Sequence, residues 1–397
     1  MDPSARAAFN ANFTDEKYQQ FLTDIKAGVD HPIHFRLAET PIFISDDFYA
    51  KLQQAGADVI GTILQPDFKE LTERAIPDQW RVAKENGHAH MIALDFGVCK
   101  DDNGDLVPKL IELQGFPSLY GFQSYASEHY KKSFDIAEEW TGHLNGLDEV
   151  SYIELLKKTI IGPHQPDEVV LMDVNAPEQK TSVDFYITQQ YLGIPVVSLE
   201  GLVQKGDQLY YPADGQLKPI KRIYNRLIFD EIAGDPDIFN KAVDIRKPLN
   251  VEWLPHPNWF YRISKFTMPF FKGDFVPKTQ FLHQVNPIPA DLESYVLKPL
   301  FSFAGQGVII DVKPEDISAI KDPENWILQE KVNYEPAIQS PDGGVKAEIR
   351  LLYLWPDGDA EPTLAITLAR LSRGKMIGVR YNKDFDWVGG TVALVRK

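Results

Sequence analysis

Two apolar runs, MIALDFGV and LVPKLIEL, flank the hexapeptide KDDNGD, and this stretch constrains the fold more than any other part of the chain. Asn-Gly between apolar segments is the strongest short-range signal for a tight β-hairpin, with positive φ at both central residues. With Asn103 and Gly104 in those places, Asp95 lies directly opposite Glu112, and opposed side chains in a ladder stand about 5 Å apart at Cβ. Side chains alternate along a strand, so Gln114 shares that face while Ile111 and Leu113 point away. Two unpaired carboxylates that close repel, and one would hold a proton unless a cation joined them. An all-oxygen set of Asp95, Glu112 and Gln114 suits magnesium, which keeps several waters and is completed by substrate phosphates. From this segment alone two other readings stay open. One is a solvated hairpin edge without a ligand; the other is a glycosidase-type acid pair, since carboxyl groups about 5 Å apart suit a retaining mechanism.

A chain of 397 residues exceeds what one core usually supports, which predicts two or three domains. Changes of texture divide it into residues 1–166, 167–249 and 250–397. Lys and Arg number 41 against 57 Asp and Glu, a net charge of −16, which argues against non-specific binding to nucleic acid or an anionic membrane. Cys99 is the one cysteine, so no intramolecular disulfide can form and a reducing compartment is expected. The opening MDPSARAAFNANFTDEK lacks the apolar core of a signal peptide, and no run reaches the 18 or so apolar residues that span a bilayer. A cytoplasmic, soluble protein is the expectation, with a homo-oligomer left open.

Thr14, Asp15 and Glu16 start a helix whose apolar face is Tyr18, Phe21, Leu22 and Ile25, stopping at Gly28. Ser45 caps a second helix and Pro66 opens a third. His88 and His90 alternate onto the face opposite Asp95. Helical patterns follow from Gln123 to Trp140 and from Ser151 to Ile161. VVLMDV, a helix over 181–192 and GIPVVSLEGL make a small βαβ unit, and a second hairpin turns near Asp214-Gly215. DVNAPEQK lacks the glycine fingerprint of a dinucleotide-binding unit. Further on, Lys265 falls on an amphipathic helix, and SYVLKPLFSFAGQGVIIDV places Lys298 at the end of a buried strand before a loop containing Gly305, Gln306 and Gly307. A lysine point charge beside glycines whose N–H groups can approach an anion is a phosphate-covering arrangement. By itself this segment is explained more simply by an ordinary hairpin with a glycine loop. WILQEKV, AEIRLLYLW and PTLAITLARLSRG read as strands, the last delivering Arg370 and Arg373, in an open antiparallel sheet without a cap of helices.

Together these segments resemble the ATP-grasp superfamily. YVLKPLFSFAGQGV is similar to its phosphate-covering strand and loop, WILQEKV to its adenine-contacting strand, and DFGVCKDDNGDLVPKLIELQGFPS to its magnesium-binding end. Here that end precedes the nucleotide half, an inversion that resembles the circularly permuted ATP-grasp enzymes of the glutathionylspermidine synthetase type. Arg370 in LARLSRG and Gly389-Gly390 resemble the permuted group's phosphate-contacting arginine and glycine turn. The resemblance implies an α/β (α+β) ATP-grasp fold in permuted order with a small βαβ domain before the nucleotide half.

It also implies ATP held by Lys265, Lys298, Gly305, Gln306, Gly307, Gln329, Glu330, Lys331 and Val332. Magnesium would sit on Asp95, Glu112 and Gln114, with Arg370 and Lys298 acting on the transferring phosphoryl. The implied activity is ADP-forming carboxylate–amine ligation through an acyl phosphate, with a small-molecule or peptide carboxylate and an amine as substrates. Gln114 departs from the superfamily's asparagine, and no amidase domain is recognisable. A nucleotide-binding pseudo-ligase and a small-molecule kinase are the alternatives. A hydrolase would have no use for Lys298, the glycine loop or Arg370.

Overall fold

The computed structural model describes residues 1–229, 232, 234–235, 237–301, 306–374, 382 and 384–397. Its centre is a six-stranded antiparallel sheet in the order Gly389–Thr391, Thr363–Ser372, Gly343–Leu354, Met91–Lys100, Leu106–Gln114, with Ile338–Ser340 paired to Gly343–Leu354 off that path. The predicted hairpin from the first third of the chain is thus built into one sheet with strands from the last quarter. Alternation sends successive side chains to opposite faces. Ile92, Leu94, Phe96 and Val98, with Ile349, Leu351, Ala369 and Leu371, enter one core. Met91 and Ala93, with Leu352, Leu354, Ile366 and Leu368, enter another. On this second face the same strands change character midway, and Asp95, Glu348, Arg350 and Arg370 replace the aliphatic residues.

The hairpin is as predicted, but its turn is not. Asn103 has no positive φ; among the loop residues only Gly104 does, at 86°. The Asp101 N–H donates to the Asp105 carbonyl at 2.9 Å and the Gly104 N–H to the Asp101 carbonyl at 3.0 Å, which makes a three-residue loop ending in a left-handed glycine. Such a loop shifts the ladder by one residue relative to a two-residue turn, pairing Lys100 with Leu106 and Phe96 with Leu110. A β-bulge between Asp95 and Phe96 then inserts Ile111 and restores the offset, so Asp95 does face Glu112. The predicted pairing is correct because two departures from it cancel.

The βαβ unit forms as read: Val169–Asp173, the helix Ser182–Leu192 and Val196–Ser198, with the strands parallel. Arg222–Asn225 and Glu252–Leu254 extend it into a four-stranded parallel sheet. A smaller antiparallel sheet holds Thr279–Phe281, Trp326–Glu330, Tyr295–Pro299 and Ile309–Ile310. Three expectations need correction. The central sheet is not left without helices, because Asp46–Ile63 packs on Leu106–Gln114, Tyr120–Ser133 on Thr363–Ser372 and Glu149–Ile160 on Gly343–Leu354. Lys265 opens a short 3-10 helix, Lys265–Phe270, interrupted by Pro269, rather than an amphipathic α-helix. An additional helix, Pro3–Asn12, precedes the first one predicted; Asp2 caps it and Pro3 occupies its first turn, where a missing N–H costs nothing.

After the small sheet the chain crosses the hairpin, with the Glu335 N–H donating to the Val98 carbonyl at 2.8 Å. A Cβ on Gly97 would stand 2.9 Å from the Tyr334 ring and 3.1 Å from a Val332 methyl. Gly97→Ala should therefore destabilise the protein by about 1–3 kcal/mol, as overpacking does. Gly87→Ala, where a Cβ meets nothing within 4 Å, should change stability by less than about 0.5 kcal/mol. Urea unfolding of both variants measures the difference.

Candidate active site

One face of the small sheet is apolar, and the other sets Lys298 and Gln329 among Val296, Ile327 and Phe281. Leu297 and Leu328 enter a local core with Leu282, Val285, Leu292 and Val312. On the other face the register sets Val296 against Gln329 and Lys298 against Ile327, so Lys298 and Gln329 share it. This face meets the hairpin, because the Lys298 ammonium donates to the Ile111 carbonyl at 3.1 Å. The contact follows from the bulge, which leaves the inserted residue out of the ladder and its carbonyl free to turn. Burial, reinforced by the charge of Lys265 and opposed by Glu112 and Glu348, lowers the Lys298 ammonium to about 8. Gln329 is buried, and among the described residues neither its amide nitrogen nor its oxygen has a hydrogen-bond partner. A buried amide with both ends unpaired is costly and marks a place where a polar ligand would fit.

Opposite stands the charged end of the central sheet. Asp95 is 1% exposed. Its Oδ1 accepts from Arg350 Nε at 2.5 Å, and its Oδ2 from the Arg350 terminal nitrogen at 2.6 Å and from Arg370 at 2.9 Å. Burial pushes the Asp95 carboxyl up, but Arg350 and Arg370 outweigh it and hold it below its ordinary value. Arg370 also bonds Glu348, whose second oxygen accepts from the Tyr334 hydroxyl at 3.0 Å. Burial raises Glu348, with Asp95 and Glu112 adding to the effect against Arg370 and Arg350. Glu112 and Gln114 are partly exposed, and the Gln114 amide donates to Glu112 at 3.2 Å. Asp95, Glu112 and Glu348 thus face Arg350, Arg370 and Lys298.

Of the residues expected here, Asp95, Glu112, Gln114, Lys298 and Arg370 converge, with Lys265 close enough to act on Lys298. Gln329 lines the same side. Glu330 alternates onto the other face, where it accepts from the Lys278 N–H at 3.1 Å. Lys331 pairs with Asp311, and Val332 packs on Gly97. Gln306 is exposed and Gly307 has φ of 74°, a left-handed value that favours glycine. Gly305, with most of the loop expected to cover a phosphate, lies outside the described residues. Arg350, Glu348 and Tyr334 were not anticipated. Their signal was present: in AEIRLLYLW the two charges fall two residues apart on one face of an otherwise apolar strand.

The metal set fits only in part. Neither Asp95 oxygen is free of a guanidinium, and among the described residues no group of three or more His, Cys, Asp or Glu could hold a metal ion. Glu112 and Gln114 keep the oxygen chemistry magnesium prefers.

No family model matches the chain, and no curated protein matches it in sequence. Among solved structures it is similar to a glutathione synthetase-like effector of Globodera pallida, determined in the apo form, with a TM-score of 0.58 and 12% identity over 97% of this chain and 98% of that one. The likeness shows a shared α/β fold. Among the described residues no helix is long and apolar enough to cross a membrane.

Removing one partner of a buried ion pair leaves an uncompensated charge. Arg350→Met should therefore cost about 3–5 kcal/mol of stability, and Asp95→Leu/Arg350→Met should recover a substantial part of that loss. Denaturant unfolding of the single and paired variants reads the coupling directly.

Proposed function

We propose that the junction between the central sheet and the small antiparallel sheet binds ATP and that the chain is an ADP-forming carboxylate–amine ligase. The observation that carries this reading is the shared face of Lys298 and the unpartnered Gln329, set across from Arg370 and Glu112. A phosphate chain would find Lys298 and Lys265 on one side and Arg370 on the other, while the Gln329 amide offers one donor and one acceptor to a base edge. The fold likeness to a glutathione synthetase-like protein supports the class of chemistry. Strand order supports the permuted reading: the hairpin of residues 91–114 pairs with Gly343–Leu354, which follows it by more than two hundred residues. The three-part division at 166 and 249 is retained as a proposal, with Glu252–Leu254 joined to the second part's sheet.

In the proposed reaction a substrate carboxylate oxygen attacks the γ-phosphorus and the bond to the β-bridging oxygen breaks, giving an acyl phosphate and ADP. Arg370 and Lys298 stabilise negative charge on the transferring phosphoryl oxygens. An amine then attacks the acyl carbon, phosphate leaves with the C–O bonding pair, and the amine loses a proton, yielding an amide. Magnesium, where bound, would rest on Glu112 and Gln114 and neutralise phosphate charge.

A second reading, nucleotide binding without turnover, is favoured by the Asp95 carboxylate being bound by arginines rather than left open. ADP release from ATP that requires both a carboxylate and an amine, with an amide among the products by mass analysis, supports the ligase. Nucleotide binding with no ADP formed from pooled metabolites supports the second reading, and a stable phosphorylated product points to a kinase.

Lys298 sets a pH dependence. Its ammonium is charged below about 8 and neutral above, so affinity for ATP should fall as pH rises through about 8, well below the range where an ordinary lysine loses its proton. Lys298→Met should weaken ATP far more than adenosine and flatten that profile, since the apolar stem is kept and the charge removed. Calorimetric titration of both ligands across pH 6.5–9.5, roughly bracketing the transition, checks this; equal losses for ATP and adenosine would assign Lys298 to packing.

A further inference from the structure

The Asp95 carboxylate was expected to share a metal ion with Glu112, yet its lone pairs are committed elsewhere. It accepts three guanidinium N–H bonds, at 2.5, 2.6 and 2.9 Å, from two arginines. Arg350 lies on the neighbouring strand directly opposite Asp95, is 5% exposed, and directs both of its described hydrogen bonds at this one carboxylate. The pairing is bidentate, a geometry that an arginine matches and a lysine does not. Arg370 is anchored in turn by Asp95 and Glu348. A divalent ion on Asp95 would have to displace a buried guanidinium and then sit within a few ångströms of two positive charges, an arrangement that the low local dielectric makes expensive. Glu348 is no substitute ligand, since Arg370 and Tyr334 hold its oxygens.

We infer that Arg350 is the built-in counter-cation of this site. Asp95 is a positioning residue that holds Arg370 toward the phosphates, and any divalent ion accompanying the nucleotide is held on the protein side by Glu112 and Gln114 alone. The inference rests on the nucleotide reading above and narrows it, because it removes Asp95 from the ligand set and gives its charge to an arginine.

Manganese is a suitable probe, since free and bound ions are distinguished by electron paramagnetic resonance. With a non-hydrolysable ATP analogue present, Glu112→Gln should weaken Mn2+ by about tenfold or more. Asp95→Asn should leave Mn2+ affinity within about threefold while lowering affinity for the analogue itself, because Arg370 loses an anchor. Arg350→Gln should gain a Mn2+ that Asp95→Asn/Arg350→Gln lacks, since the freed carboxylate becomes a ligand. Loss of Mn2+ in Asp95→Asn equal to that in Glu112→Gln would overturn the inference, whether or not the Arg350 variants fold. A parent that retains no analogue would instead refute nucleotide binding, and Mn2+ alone then decides: ion binding abolished by Asp95→Asn overturns the counter-cation role, and indifference to that substitution upholds it.

Discussion

A carboxylate buried to 1% exposure must be compensated where it stands, and the pairing of Asp95 with Arg350 is the constraint on which the site depends. An isolated buried charge would cost several kilocalories per mole. The two residues are direct cross-strand neighbours, so satisfying the charge also fixes the register between the hairpin and Gly343–Leu354. That register in turn places Glu348 against Gly97 and Arg370 against Glu348. A slip of one residue would send each charged side chain into the aliphatic core on the opposite face. Electrostatics at one end of the sheet and apolar packing at the other thus specify one alignment.

The β-bulge at Ile111 links this sheet to its partner. It corrects the offset of the three-residue turn so that Asp95 and Glu112 meet, and it releases the carbonyl that receives Lys298. Lys298 is thereby held near two carboxylates while losing part of its solvation, and its ammonium drops to about 8. Under the proposed nucleotide reading, a cation held this way is arranged before a phosphate arrives, which reduces the reorganisation that binding would require. Tyr334 connects the third side: its hydroxyl bonds Glu348 while its ring lies on Gly97, tying the crossing segment after Trp326–Glu330 to both sheets.

Much of this was legible in the residues. The hairpin, the βαβ unit, the Lys298 strand and the strands of residues 343–372 follow from apolar period and turn chemistry, because those signals are local. The bulge was not legible, since it inserts one residue without an unusual amino acid to mark it, and the turn was misread because Asn-Gly also serves a three-residue loop. Lys265 was placed on an amphipathic helix from its apolar neighbours, although Pro269 already argued against a helix interior. The arginine partners of Asp95 were out of reach for a different reason. Position 350 lies 255 residues from position 95, and only the strand pairing brings them together. The helices covering the central sheet were each read, but nothing in their sequences says on which sheet they pack.

The central claim is that the two antiparallel sheets enclose a nucleotide with its phosphates between Lys298 and Arg370. A crystal structure of the protein soaked with a non-hydrolysable ATP analogue tests it most directly. The account predicts phosphate oxygens within hydrogen-bond distance of the Lys298 ammonium, the base beside Gln329, and Asp95 still paired with Arg350. Phosphates bound away from Lys298, or a base that leaves the Gln329 amide untouched, would contradict it.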